Sequence, residues 1–397
     1  MSYSLLSFAA HGLFQLPWWG YIVVALGLTH VTIAAVTIFL HRGQAHRGLD
    51  LHPLPSHFFR FWLWMTTGMV TKEWVAIHRK HHAKVETVDD PHSPQTRGIR
   101  TVLLRGAELY RAESKNAETI AKYGHGTPDD WVERNLYSRF TTLGIALMLV
   151  VNVLLFGAPG VTIWAVQMMW IPVTAAGIIN GLGHYWGYRN FASNDTSTNI
   201  VPWGIIIGGE ELHNNHHAYG TSAKLSSRWY EFDIGWMYIR ILQSLGLAKV
   251  RKVAPKVRFD RAKATPDLAT LQAIITHRYA VATAYARTLK TACAAEISAL
   301  RERHRGHVDL PSLGRFKRWL AADALPETEH ARIAPALEKS KVLQQIYAMR
   351  QELAQLWNRS TESSEQLLAR LQDWCHRAET SGIAPLAQFS LQLKHYA

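Results

Sequence analysis

The chain has very few cysteines. Only Cys293 and Cys375 occur among its 397 residues, and both lie in the last third of the sequence. Two cysteines exclude a cysteine-rich zinc domain and a scaffold held together by several disulfides. Such low cysteine usage is also typical of a protein that works in a reducing compartment.

The first 41 residues contain no Asp, Glu, Lys or Arg. They contain the apolar run from Trp18 to Leu40, which is long enough to cross about 30 Å of hydrocarbon as a helix. A signal peptide would begin with basic residues, and none precedes this run. We therefore expect one uncleaved membrane span in this segment.

A second segment, residues 141–188, also lacks charged side chains. The sequence Gly157-Ala158-Pro159-Gly160 in its middle is a turn signal. This pattern predicts a hairpin of two membrane helices, at roughly 141–157 and 161–183. Together with the first segment, it predicts a mainly α-helical integral membrane protein with about three spans.

Two further apolar segments are aromatic but carry charges. Residues 56–70 are interrupted by Arg60, and residues 229–247 mix aromatic and charged side chains. Both patterns predict helices that lie in the membrane interface. From about residue 256 onward, Ala-, Leu- and Glu-rich sequence with helical periodicity predicts a soluble helical tail. We therefore divide the chain into a membrane domain, residues 1–255, and a helical extension of unknown role, residues 256–397.

The chain has an excess of positive charge. Its 43 Lys and Arg oppose 30 Asp and Glu, which gives a net charge of +13. Such an excess is typical of contact with nucleic acid or with an anionic lipid surface. The apolar segments favour lipid, and the sequence has no known DNA-reading motif, so we expect no nucleic-acid partner. Basic residues are concentrated at 42–139 and after 189, which predicts that both regions and the tail are cytoplasmic.

Histidines recur twice with the same spacing. The segments IHRKHH and LHNNHH each place three histidines at i, i+3 and i+4, so all three rings share one face of a helix. Three imidazoles on one face are able to point at one metal ion or at two adjacent ones. The six histidines are His78, His81, His82, His213, His216 and His217.

Two further motifs add candidate ligands. His41 and His46 follow the first span, and a spacing of five puts two side chains about 140° apart on an ideal α-helix. We therefore expect the helix to end near Gly43, which would let the two rings converge. Asn180 and His184, four residues apart, lie at the inner end of the hairpin. The predicted topology brings all nine histidines to one face of the membrane.

Nine imidazoles are too many for one metal ion and suit two, and neutral imidazole is a good ligand for iron, zinc and copper. A single histidine such as His30 is more often structural, although within a span it could ligate haem. Zinc storage is a weaker explanation, because it requires no membrane hairpin. Nearby carboxylates are candidates to accept the second ring N–H of the ligands. They are Glu86, Asp89, Asp90 and Glu210.

These motifs resemble those of the membrane fatty-acid desaturase family, whose histidine pattern is HxxxxH, HxxHH and HxxHH. EWVAIHRKHHAKVETVDDPHS is similar to the family's EW…HRxHH…ET…DPH. NGLGHYWGYRN resembles its N-x-x-x-H with a following GYR, and GGEELHNNHHAY resembles GEGxHNxHHxF. The resemblance covers residues 20–255 and is closest to the acyl-CoA type that acts at the ninth carbon.

The resemblance implies an oxidoreductase that uses O₂ and two electrons to remove two hydrogens from a methylene pair. It implies two iron ions, which zinc could replace in a preparation, and no catalytic residue beyond the metal ligands. Its partners would be a fatty-acyl substrate and an electron donor, namely ferredoxin, rubredoxin or a b-type cytochrome with its reductase. The implied ligands are His41, His46, His78, His81, His82, His184, His213, His216 and His217, with Asn180 acting through a bound water.

Two features depart from the family pattern: the residues before the middle triplet, and the family's first membrane hairpin, which is reduced here to one span and would place the N terminus outside. Animal acyl-CoA members carry Arg-Asp before the middle triplet, where this chain has Ala76 and Ile77. The acyl chain could therefore be carried on CoA or on phospholipid. The helical tail has no counterpart in the animal enzymes, and docking of the electron donor is one hypothesis for it. The expected location is a bacterial inner membrane.

Two other functions fit parts of the sequence. A histidine-rich di-iron hydroxylase of alkyl or sterol-like substrates would share the chemistry, although the DPH and NGLGH contexts favour desaturation. A membrane carrier of metal or haem would bind the ion but form no double bond. Analysis of lipid products distinguishes the three.

Overall fold

The computed structural model describes residues 5–304, 312–322, 327–358 and 361–397, and it is mainly helical. The chain forms two compact units. The first comprises Met1–Arg189 and Asp195–Ala254, and the second comprises Asn190–Asn194 and Pro255–Ala397. The division after Ala254 lies beside the boundary expected at residue 255. The inclusion of Asn190–Asn194 in the second unit was not expected, because this short segment is far from the tail in sequence.

The first unit contains most of the named elements. Its α-helices are α1 (Leu5–His11), α2 (Trp18–Ala35), α3 (Pro53–Thr67), α4 (Thr71–Lys84), α5 (Pro94–Arg97), α6 (Ile99–Glu113), α7 (Ala117–Tyr123), α8 (Thr141–Phe156), α9 (Ala158–Ile171), α10 (Asn180–Leu182), α11 (His213–Ala218) and α12 (Ile234–Ser244). Three stretches are wound as π-helix: π1 (Val36–Ala45), π2 (Glu133–Tyr137) and π3 (Pro172–Ile179). Four short strands form an antiparallel pair, β1 (Leu49–Leu51) with β4 (Ala248–Val250), and a parallel pair, β2 (Trp203–Gly204) with β3 (Phe232–Asp233).

Two continuous helices among the described residues are long and apolar enough to cross a membrane. α2 runs without a break into π1, over Trp18–Ala45, and α9 runs through π3 into α10, over Ala158–Leu182. α8 is also apolar, but its 16 residues are fewer than a span usually needs. Gly157, with φ of 62°, makes the turn between α8 and α9 where the sequence predicts one.

The outer faces of these helices are apolar. Trp18 exposes 76% of its surface, Val23 59%, Val150 52% and Met169 60%. Soluble monomers rarely expose extensive apolar surface, which marks a face that meets lipid or another protein. The exposed faces of α2, α8 and α9 are therefore of the kind that meets lipid or another protein.

α3 and α12 occupy the two segments predicted to be interfacial. The buried Arg60 of α3 donates to Asp130 at 2.6 Å and to Glu133 at 2.9 Å, so its charge is paired inside the protein. α12 is amphipathic, with Ile239 fully buried and Ile241 half exposed. An amphipathic helix of this kind presents one face to the core and leaves the other available to an interface.

The second unit is helical and has a hydrophobic core of its own. Tyr285, Trp374 and Phe389 are buried there, and the Phe389 ring centroid lies 5.0 Å from that of Tyr285 and 6.0 Å from that of Trp374. Cys293 and Cys375 are buried and not joined in a disulfide, so they serve as small apolar side chains. Its helices are α13 (Leu268–Thr276), α14 (Arg278–Thr288), α15 (Lys290–His304), α16 (Leu313–Ala321), α17 (Glu327–Lys339), α18 (Lys341–Gln355), α19 (Ser364–Thr380) and α20 (Ala384–Lys394).

Trp374→Ala should destabilise the second unit by about 3–5 kcal/mol, because it opens a cavity in this core and removes the hydrogen bond from Trp374 Nε1 to the Met349 carbonyl. Hydrogen exchange of peptides from the tail, measured in the full chain, reports the change. Leu391→Ala is the control, since Leu391 is 52% exposed and should leave exchange unchanged. Equal exchange in the two variants would contradict the assignment of Trp374 to the core.

Candidate metal centre

Five histidines of the first unit form one close set. Their ring nitrogens lie within 4.8 Å of one another. The Nε2 atoms of His46 and His78 are 2.8 Å apart, those of His82 and His216 are 2.9 Å apart, and those of His41 and His216 are 3.0 Å apart. Five Nε2-bearing ring edges therefore converge on one point, as the ligands of a metal ion do.

The other four histidines form a second set of the same kind. The ring nitrogens of His81, His184, His213 and His217 also lie within 4.8 Å of one another. Nε2 of His184 is 3.2 Å from Nε2 of His81 and 3.1 Å from Nε2 of His213. The two sets adjoin, because the ring of His217 stacks on that of His82 with centroids 4.4 Å apart.

Each histidine triplet is divided between the two sets. In α4, His78 and His82 are one turn apart and enter the five-histidine set, whereas His81 enters the four-histidine set. In α11 the division is reversed, since only His216 joins the five-histidine set. The shared spacing of the two triplets therefore lets each helix supply ligands to both positions.

The π-helical winding of π1 brings His41 and His46 together. The backbone N–H of His46 donates to the carbonyl of His41 at 3.0 Å, an i to i+5 bond that stacks residues five apart on one side of the helix. The ring centroids are 4.8 Å apart. The expectation that the helix ends near Gly43 was wrong, because π1 continues through Gly43 to Ala45.

Four carboxylates lie beside the Nδ1 atoms of the histidines. Glu210 Oε1 is 2.7 Å from His41, Asp90 Oδ1 is 3.0 Å from His81, and Glu86 Oε1 is 3.5 Å from His184. Asp195 Oδ2 is 2.8 Å from Nδ1 of His217. A carboxylate at Nδ1 leaves Nε2 free to bind a metal and fixes the orientation of the ring.

Asp195 was not predicted from the sequence as a partner of a histidine, whereas Asp89 was. Asp195 lies in a polar loop with no helical or strand periodicity, so nothing in the sequence relates it to His217. Ser197 holds it in place, with both its N–H and its hydroxyl donating to Asp195 Oδ1. Asp89 lies at the surface, with its carboxylate 3.5 Å from Nζ of Lys84 and its side chain 57% exposed.

A buried hydrogen-bonded chain supports Glu210. The hydroxyl of Thr37 donates to Oε1 of Glu210 at 2.8 Å, and Nε of Arg42 donates to Thr37 Oγ1 at 3.1 Å. Arg42 is itself fixed by two hydrogen bonds to Asp233, at 2.8 and 3.0 Å, and by one to the Gly208 carbonyl at 2.8 Å. The position of His41 therefore depends on Thr37 and Arg42, which lie four residues before it and one after it in the chain.

Burial disfavours the charged form of six of these nine histidines, because it lowers the pKa of each. It lowers the pKa of His46, His78, His82 and His216 well below the ordinary value, and charge on neighbouring histidines would lower each pKa further. It lowers the pKa of His184 to about 4. Neutral imidazole is the form that binds metal ions.

Two carboxylates next to the histidines remain charged. Burial alone would raise the pKa of Asp90 and of Asp195, but the ring contacts of His81 and His217 hold each pKa below its ordinary range. Nε2 of His217 is buried and has no hydrogen-bond partner in the described part of the chain. Uncharged rings, anionic supports and a buried, unpartnered Nε2 fit a pair of metal ions.

A cavity of about 670 Å³ adjoins both sets. His41, His78 and His213 line it, together with Asn180, the residue expected to act through a bound water. His92, which the sequence analysis did not single out, also lines the cavity, and its ring stacks on His81 with centroids 4.5 Å apart. The remaining wall is mostly apolar. It includes Val36, Met69, Ile145, Trp164, Met168, Ile171, Ala175 and Ile179.

The part of the chain that contains the histidines matches a known protein family. A model described as fatty acid desaturase matches residues 16–234, more than half of the chain. A second model, described as transposase, matches residues 262–397, within the helical tail. The two matches do not overlap, so each describes a different part of the chain.

Individual relatives match the same part of the chain as the first model. The chain is 30% identical over 236 residues to delta-9 acyl-lipid desaturase 1 of Arabidopsis thaliana, covering 58% of this chain and 74% of the relative. It is 30% identical over 241 residues to sn-1 stearoyl-lipid 9-desaturase of Anabaena variabilis, covering 60% and 86%. It is 29% identical over 236 residues to icosanoyl-CoA 5-desaturase of Limnanthes douglasii, covering 58% and 65%.

Asp195→Asn should weaken metal binding about ten- to a hundredfold, because the amide no longer offers His217 a charged acceptor. Chelator competition against the iron-loaded protein measures this affinity directly. Asp89→Asn is the matched control, since Asp89 lies at the surface and should leave the affinity unchanged. A similar loss in both variants, or in neither, would contradict the role assigned to Asp195.

Thr37→Val removes the hydroxyl that holds Glu210 while keeping the side-chain shape. We expect about a tenfold loss of iron affinity in the same chelator assay, because His41 loses the support of its carboxylate. Thr29→Val is the control, since Thr29 is equally buried in the same helix but donates only to helix carbonyls at 2.9 Å. An unchanged affinity for Thr37→Val would show that Glu210 holds His41 without Thr37.

Proposed function

The chain belongs to the fatty acid desaturase family and is an oxidoreductase, and from this premise we propose that it is a membrane di-iron desaturase that places a cis double bond at the ninth carbon of a saturated acyl chain. The match confirms the family indicated by the histidine motifs. The observation that carries the proposal is the pair of histidine sets beside a mostly apolar cavity of about 670 Å³. The membrane setting and the position of the double bond are parts of this proposal.

The proposed reaction consumes one acyl chain and one O₂ with two electrons and two protons, and it yields one unsaturated chain and two waters. Bound iron would supply the oxidising power needed to break an unactivated C–H bond, which redox-inactive zinc does not supply. His41, His46, His78, His82 and His216 would hold one ion. The other would be held by His81, His184, His213 and His217, with Asn180 acting through a bound water.

The protein's own side chains would position the reactants. The carboxylates at Nδ1 of His41, His81, His184 and His217 would keep those four Nε2 atoms aimed at the metal positions, so that this part of the ligand geometry is set before substrate arrives. The apolar wall of the cavity orients the acyl chain and excludes water from the reacting carbons. Trp164 and Met168, which line the cavity from α9, would contact the acyl chain.

We propose that the acyl chain is carried on a lipid rather than on CoA. Ala76 and Ile77 occupy the places where animal acyl-CoA members carry Arg-Asp, and here both side chains are buried and apolar. They therefore offer no charge to a CoA group. Relatives named as acyl-lipid and stearoyl-lipid desaturases support this assignment.

The proposed topology has three spans: Trp18–Ala45, α8, and the helix of Ala158–Leu182. α3 and α12 would lie in the interface, and the histidine sets and the tail would face the cytoplasm of a bacterial cell. The basic residues that follow the first and last spans support this orientation. Ferredoxin, rubredoxin or a b-type cytochrome would donate the electrons.

Expression in a host that lacks its own desaturase tests the function. We expect labelled stearate to gain a double bond at the ninth carbon, read by mass spectrometry, and to do so in phospholipid before acyl-CoA. His82→Ala and His216→Ala should each abolish the product, because each removes a ring from the five-histidine set. His30→Ala is the control, since His30 lies outside both sets and is paired with the Tyr238 hydroxyl at 2.7 Å.

The alternatives give different products in the same host. A hydroxylated chain would identify a hydroxylase of the same histidine-rich kind, and bound metal or haem without any product would identify a carrier. Loss of activity in His30→Ala, with His82→Ala unaffected, would contradict the assignment of the site. No unsaturated product from the native sequence, with a working electron donor present, would contradict the proposed function.

A further inference from the structure

One loop of the chain belongs partly to the first unit and partly to the second. Tyr188 and Asn199 close this loop, because the N–H of each donates to the carbonyl of the other, at 2.9 and 2.7 Å. Asn190–Asn194, within the loop, belongs to the second unit, whereas Asp195 and the residues that follow it belong to the first. The second unit therefore contains a short segment whose next residue in the chain is the carboxylate beside His217.

The segment Asn190–Asn194 is held within the second unit by α14. The backbone N–H of Ala192 donates to Thr283 Oγ1 at 2.9 Å and, at 3.4 Å, to the carbonyl of Tyr279. The hydroxyl of Thr283 donates its own hydrogen to that carbonyl at 2.7 Å, which leaves its lone pairs to accept from Ala192. Phe191 exposes 7% of its surface and Ala192 8%. Loops usually run over the surface, so a buried loop segment is one that its neighbours hold in place.

The two residues that follow this segment support two ligands of the four-histidine set. Asp195 Oδ2 lies 2.8 Å from Nδ1 of His217. The N–H of Thr196 donates to Glu86 Oε1 at 2.5 Å, and its hydroxyl donates to the same oxygen. That carboxylate oxygen is the one beside Nδ1 of His184, at 3.5 Å. Both supports serve histidines of the same set, and both depend on the position of the loop.

We propose that the helical tail sets the affinity of the four-histidine position for its metal ion, with Thr283 as the positioning residue that acts through Asp195. This inference rests on the proposed function, in which the histidine sets hold iron. A loop that is not held samples many backbone conformations, and holding Asn190–Asn194 removes those in which Asp195 turns away from His217. The five-histidine set has a separate support in Glu210, so the tail should affect one metal position and not both.

Thr283→Val tests this role, because it removes the acceptor of the Ala192 N–H and keeps the side-chain shape. We expect one of the two Fe²⁺ dissociation constants of the full-length protein, measured by chelator competition, to rise about tenfold, while the other stays at its native value. Hydrogen exchange of a peptide spanning residues 188–199 should become faster in the metal-free protein, since the Ala192 amide loses its partner. Neither measurement depends on turnover.

The controls separate this role from a general effect on the tail. Thr283→Ser keeps the hydroxyl and should match the native protein, and Thr283→Ala should behave as Thr283→Val does. Thr276→Val is the matched control: Thr276 also donates to the carbonyl four residues before it, at 2.7 Å, but its recorded bonds stay within α13. It should leave both dissociation constants unchanged. Asp195→Asn combined with Thr283→Val should lose less affinity than the two single losses multiplied, because both changes act on His217.

An unchanged Fe²⁺ affinity in Thr283→Val would overturn the proposal, even with faster exchange of the loop, because Asp195 would then need no support from the tail. An equal rise of both dissociation constants, or faster exchange throughout the tail, would also overturn it by showing a general loss of structure. The proposed function fails in a different way. A native protein that binds two iron ions but yields no unsaturated product would contradict the function and leave this inference intact.

Discussion

Nine imidazole rings packed around two points in a buried space impose the main physical constraint on this protein. Burial disfavours charge on the rings, and the closeness of their nitrogens disfavours it further. The Nε2 atoms of these uncharged rings face one another at about 3 Å. Hydrogen bonds among the rings cannot give every one of these nitrogens a partner. Metal ions would satisfy them, and the carboxylates at Nδ1 would offset the positive charge that the ions bring.

The architecture of the first unit follows from this requirement. The rings come from π1, α4, α11 and the segment after α10, so four parts of the chain must meet at one place. π1 rotates His46 back towards His41, and α4 and α11 each contribute rings to both sets. The buried pair of Arg42 and Asp233 joins π1 to the start of α12. Removing one partner of such a pair leaves a buried charge unpaired, which is strongly destabilising.

Much of this was predictable from the sequence, because its strongest patterns are local. Charge-free apolar runs predicted the long helices, and the i, i+3, i+4 spacing predicted which histidines share a helix face. The π-winding at Gly43 was not predictable, since an α-helix and a π-helix are compatible with the same residues and packing chooses between them. Asp195 and Thr37 were missed for a similar reason. Their roles depend on contacts with His217 and Glu210, more than 20 residues away in the chain, and no periodicity marks them.

The central claim is that the two histidine sets hold two separate iron ions. Anomalous diffraction measured on both sides of the iron absorption edge, from crystals of the iron-loaded full-length protein, tests it most directly. The account predicts two iron peaks per chain, one among His41, His46, His78, His82 and His216 and the other among His81, His184, His213 and His217. A single peak shared by both sets, or iron bound elsewhere with these rings turned apart, would contradict it.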